Sequence, residues 1–85
     1  MSMKLAKKIL VKAEEKKHLA YMKSSAQLNI DDCNFWIKNN DEKLAVYRGL
    51  KSLAYSVGYF SDVYQRLSKQ AKEQGFQDYI PTSNQ

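Results

Sequence analysis

Residues 46–71, VYRGLKSLAYSVGYFSDVYQRLSKQA, hold the pattern on which the fold of this chain turns. Within them Val46, Leu50, Leu53, Val57, Phe60, Tyr64, Leu67 and Ala71 recur at alternating steps of four and three. A repeat of 3.5 residues keeps one side of an α-helix facing a neighbouring helix along its length, so this is a packing seam. Asp41 stands where an N-cap belongs, and Gly75 followed by Phe76 matches a Schellman ending. The pattern predicts one helix from Asp41 to about Gln74, roughly 50 Å long at 1.5 Å per residue.

Working outward, residues 3–27 predict a first helix, free of glycine and proline and rich in Lys, Ala, Glu, Leu and Met. Met3, Ala6, Leu10, Ala13, Lys17, Ala20 and Ser24 fall on one stripe, with Ser2 as a cap. The small residues Ala6, Ala13 and Ala20, seven apart, suit close approach to the long helix. A short helix follows over Asp31–Asn39, with Asn29, Asp31 and Asp32 supplying its capping chemistry and Ile30, Cys33, Trp36 and Ile37 its apolar face. The cluster Asn39-Asn40-Asp41 breaks the chain before the long helix. The expected fold class is all-α: a hairpin of two long helices with a short helix between them, completed as a bundle by oligomerisation. Residues 1–80 are expected to form one domain and 81–85 a flexible tail.

Composition bounds the support such a fold needs. A chain of 85 residues buries only roughly 60–65% of its unfolded surface, so a monomer is marginal. Cys33 is the single cysteine, which excludes an intramolecular disulfide, and with His18 it cannot complete a four-ligand zinc site. No cofactor or metal is expected, and a partner chain is the support that remains. The first helix, about 37 Å long, cannot cover the 50 Å one, which points to a homo-oligomer, most simply a dimer. The opening MSMKLAKKILVK carries neither a secretory apolar core nor a membrane span. The chain therefore reads as soluble and cytoplasmic, with a reduced thiol, and membrane association is disfavoured.

Catalysis finds little footing. His18 lies in a Lys/Glu-rich helical stretch, Cys33 belongs to an apolar face, and the adjacent Asp31 and Asp32 point about 100° apart on a helix. Gly49, Gly58 and Gly75 are scattered through helical pattern and form no phosphate loop. The expectation is a protein that is not an enzyme.

Two surpluses remain. Seven of the first 28 residues are lysines, against Glu14 and Glu15, and from Asn29 onward the charges cancel. Lys4, Lys8, Lys12 and Lys16 form a ladder, with Lys23 on the same side, that suits non-specific contact with nucleic acid phosphates; the helix has no arginine for base readout. The bland alternative is a solvated face that keeps the protein soluble. The tyrosines are the second surplus: Tyr47, Tyr55 and Tyr59 lie off the seam, and Ala54 and Gly58 beside them make a small-residue step. Tyr47, Lys51, Tyr55, Gly58 and Tyr59 are accordingly the candidate protein interface. Beyond the seams, Leu5, Ile9, Val11, Leu19, Met22, Phe35, Leu44 and Val63 also exceed what one small bundle hides. The expected function is a small helical protein–protein interaction module: an adaptor, an assembly factor or an inhibitor of a larger partner. Its compactness fits a regulator carried by a phage or mobile element. The alternative is a nucleic-acid-binding protein that uses the lysine-rich helix.

Overall fold

A computed structural model describes residues 3–77, so Ser2 as a cap and the tail at 81–85 lie outside the described residues. The described chain is all-helical. Four helices follow in order: α1 (Lys4–Lys16), α2 (Lys23–Lys38), α3 (Glu42–Val57) and α4 (Asp62–Glu73), with a 3-10 turn at Lys17–Leu19 between the first two. They run alternately up and down. α3 is the central element and packs against α1, α2 and α4.

Both predicted long helices are in fact broken. The expected helix at 3–27 stops at Lys16, and the short helix expected over Asp31–Asn39 begins instead at Lys23. Asp31 and Asp32 are thus interior residues of α2 and cap nothing. The turn between α1 and α2 is held from outside: Ala20 is buried, and the Tyr21 backbone N–H donates to the Tyr55 carbonyl at 3.1 Å. No glycine or proline marks this break, because a tertiary contact stabilises it.

The expected helix from Asp41 to Gln74 ends at Val57 and restarts at Asp62. Gly58 adopts φ 84° and ψ 159°, a backbone region essentially reserved for glycine. Ser61 then caps α4, its side chain accepting from the Tyr64 N–H. The heptad pattern survives this break because α4 folds back along α3, so both segments face one core. Val46, Leu50, Leu53, Tyr64, Leu67 and Ala71 are all buried. Val57 is half-buried, and Phe60, read as a central seam residue, lies in the connecting turn and is 71% exposed.

Other local readings hold. Asp41 caps α3, accepting from the Leu44 N–H at 3.0 Å. Gly75 sits at φ 88°, and the Phe76 and Gly75 N–H groups donate to the Ala71 and Lys72 carbonyls, the paired bonds of a Schellman ending with Phe76 buried over it. α2 ends in the same way at Asn40, whose φ is 58°.

Close approach occurs at Gly49, not at Gly58. A Cβ added at Gly49 would stand 2.5 Å from Ile9 Cγ2 and 3.3 Å from Cys33 Sγ, whereas nothing lies within 4 Å of one added at Gly58. α1, α2 and α3 therefore meet at a single glycine. α1 buries Leu5 and Ile9 beside Ala6 and Ala13, a face wider than the predicted stripe, because it packs against two helices rather than one. Lys17 and Ser24, also on that stripe, are exposed.

Candidate interaction surface

α3 presents Tyr47, Lys51 and Tyr55 at four-residue spacing, all half-buried. Lys51 Nζ donates to Tyr47 Oη at 3.2 Å, and the Arg48 guanidinium and Lys51 ammonium stand 5.3 Å and 5.5 Å from the centre of the Tyr47 ring. Such contacts fix the ring on its own helix. Tyr59, in the turn before α4, meets Tyr64 edge to face at 5.4 Å. Burial pushes the Tyr64 phenol up to about 12; the neighbouring Ser68 hydroxyl offsets part of the rise, and the nearby phenols of Tyr59 and Tyr47 add to it. Tyr47 thus lies in the second turn of α3, whereas Tyr59 and Tyr64 meet at the α3–α4 turn. Gly58 is exposed beside them and contributes the turn rather than a close contact.

The same end of the bundle carries a second set of side chains. The 3-10 turn and the α3–α4 turn both lie there, because the Tyr21–Tyr55 backbone bond joins the α1–α2 connection to the last turn of α3. From these two connections Leu19, Tyr21, Met22 and Phe60 are exposed, Tyr21 at 93%. Leu28, in the second turn of α2, is exposed as well. Beside them opens a shallow groove of about 650 Å³ lined by Lys17, His18, Lys23, Ser24, Gln27 and Leu28.

Of the surplus apolar residues noted in the sequence, Leu5 and Ile9 are buried and Leu44 and Val63 half-buried. Val11, Leu19, Met22 and Phe35 stay exposed. Tyr21, Leu28 and Phe60 join them without having been expected to. The signal for Phe60 was present: Gly58 followed by Ser61-Asp62 reads as a helix stop and a new N-cap. No comparable local signal marks Tyr21 or Leu28, whose exposure follows from the break at Lys17–Met22.

The lysine ladder is shorter than its spacing implied. Lys4, Lys8, Lys12 and Lys16 share α1, but Lys23 opens α2 across the 3-10 turn. Lys12 pairs with Glu15 at 3.5 Å, and Lys17 with Glu14 at 3.1 Å. Cys33 is fully buried, and burial pushes its thiol up to about 12, against a smaller lowering by the Gly49 backbone. That is the environment of a packing residue. Among the described residues no three His, Cys, Asp or Glu side chains gather as a metal site would require, and no helix is long and apolar enough to cross a membrane.

Comparisons with models of known protein families, with curated proteins and with solved structures find no match for this chain.

Proposed function

We propose that this chain is a non-enzymatic helical interaction module that engages a larger protein as an adaptor, an assembly factor or an inhibitor. One observation carries the reading. Two connections at the same end of the bundle expose Leu19, Tyr21, Met22 and Phe60, next to Tyr55 and Tyr59. A small protein that spends so much apolar and aromatic area on water at one place has a contact surface there. Tyr47 and Lys51 continue from Tyr55 back along α3 at four-residue spacing.

The test is affinity capture from the native source with the whole chain, beside a Tyr21→Ser/Phe60→Ser variant. Both side chains are exposed, so the variant should keep its thermal midpoint while losing the captured partner. A partner retained by the variant and lost instead on changing α1 lysines would overturn the choice of surface.

A second reading is nucleic acid binding through α1, supported by the row Lys4, Lys8, Lys12 and Lys16 on one helix. It would be weak, sequence-independent and steeply lost with salt. Self-association as a dimer is a further proposal, supported by Phe35, exposed on α2 outside the Leu28 groove.

A further inference from the structure

The groove between the 3-10 turn and the start of α2 differs in kind from the apolar end beside it. Its floor is mostly apolar, from Leu28 and the aliphatic stems of its neighbours, and the polar ends of Lys17, His18, Lys23, Ser24 and Gln27 rim it, with Lys17 paired to Glu14 and Gln27 bonded to Asp31. Around the groove Lys12, Lys16, Lys17 and Lys23 stand against Glu14, Glu15 and the Asp31 carboxylate that Gln27 binds, an excess of one positive charge. The whole chain carries a net charge of +5, so its long-range field has the same sign. We infer that this groove receives an acidic segment of the partner protein, with an apolar side chain seated against Leu28 and carboxylates facing Lys17 and Lys23. The inference rests on the interaction reading above and names the chemistry of its partner.

The pattern of charge selects this occupant. A second copy of the chain would bring lysines to lysines, and like charges across a contact oppose it. An anionic bilayer offers a flat and uniformly negative face. Here the cations are interrupted by Glu14 and Glu15, with Glu14 only 3.1 Å from Lys17. A peptide can set discrete carboxylates opposite Lys17 and Lys23 and keep them away from Glu14. Ser24 and Gln27 add hydrogen-bonding groups that fix orientation, as polar groups at the edge of an apolar contact do.

The probe is a fluorescein-labelled amphipathic peptide with leucines on one face and glutamates on the other, titrated into the full chain. Anisotropy gives affinity, and amide shifts in an isotopically labelled sample give location. Micromolar binding is expected, with shifts concentrated at residues 17–28 and affinity falling as salt rises. A Lys17→Glu/Lys23→Glu variant should bind roughly tenfold or more weakly, as reversal of contacting charges does. Leu28→Ser should weaken binding with less change in salt dependence. Should the double variant fail to fold by circular dichroism, the shift map and salt dependence of the unaltered chain still decide.

Equal binding of a peptide with lysines in place of glutamates would overturn the inference, as would shifts confined to the Tyr47–Tyr59 face. Co-sedimentation with phosphatidylserine vesicles in the absence of peptide binding would overturn it in favour of lipid. If the acidic peptide fails while Tyr21→Ser/Phe60→Ser still abolishes capture of a native partner, the acidic chemistry is wrong and the interaction module stands.

Discussion

At Gly58 a single substitution separates one long helix from two. In a continuous helix, alanine there would stabilise by roughly 1 kcal/mol through propensity. At φ 84° and ψ 159° it must instead destabilise, by about 1–3 kcal/mol. Urea unfolding of Gly58→Ala reads the sign directly. Gly49→Ala should also destabilise, by about 1–3 kcal/mol, because the new methyl meets Ile9 and Cys33. The seam residues divide in the same way. Leu50→Ala or Leu53→Ala should cost about 2–5 kcal/mol as buried truncations, and Phe60→Ala should fall within about 0.5 kcal/mol of the unaltered chain. Cys33 and Tyr64 give the pH dependence. Their folded values of about 12 exceed the ordinary 9.0 and 10.0, so between these limits the unfolded chain releases protons that the folded one retains. Stability is full below about pH 9 and is lost as pH rises towards 12. Chemical denaturation across that window should show the fall, and Cys33 should resist thiol reagents at pH 8 until the protein unfolds.

Among the elements, legibility followed the range of the forces that set each boundary. Asp41, Gly75 and Phe76 were readable because a cap is a contact between residues close in sequence. The apolar faces of α2 and α3 were readable because burial imposes their period. The break after Lys16 was not, since it depends on Ala20 entering the core and Tyr21 bonding to Tyr55, far along the chain. At Gly58 the difficulty was different. The seam ran through it without a change of phase, and periodicity cannot distinguish a straight helix from one folded back in register. Ser61 was the local clue, and Ser61→Ala should cost about 1 kcal/mol by removing the cap from the Tyr64 N–H. In the candidate surface, Tyr55 and Tyr59 were legible as tyrosines without a seam to fill. Tyr21, Leu28 and Phe60 were not, because their exposure follows from breaks that the periodicity hid.

For the whole molecule, folding α4 back on α3 changes what a second subunit would be for. No long uncovered seam is left, and the described chain packs to 33 × 24 × 20 Å around α3. Any self-association must then use exposed residues such as Phe35. Sedimentation equilibrium at micromolar concentration should detect such a dimer, and Phe35→Ser should return it to monomer without lowering the thermal midpoint. The alternating course of the helices has a practical side. α1 runs parallel to α3, with Ile9 beside Gly49 and the 3-10 turn near the last turn of α3, while Phe76 lies near Asn39–Lys43 at the start of α3. Met3 and Gln77 therefore leave the bundle at the end opposite Tyr21 and Phe60. A tether or biosensor linkage introduced at Met3 or Gln77 themselves points the aromatic tip away from its anchor, so that immobilised protein displays the tip to solution.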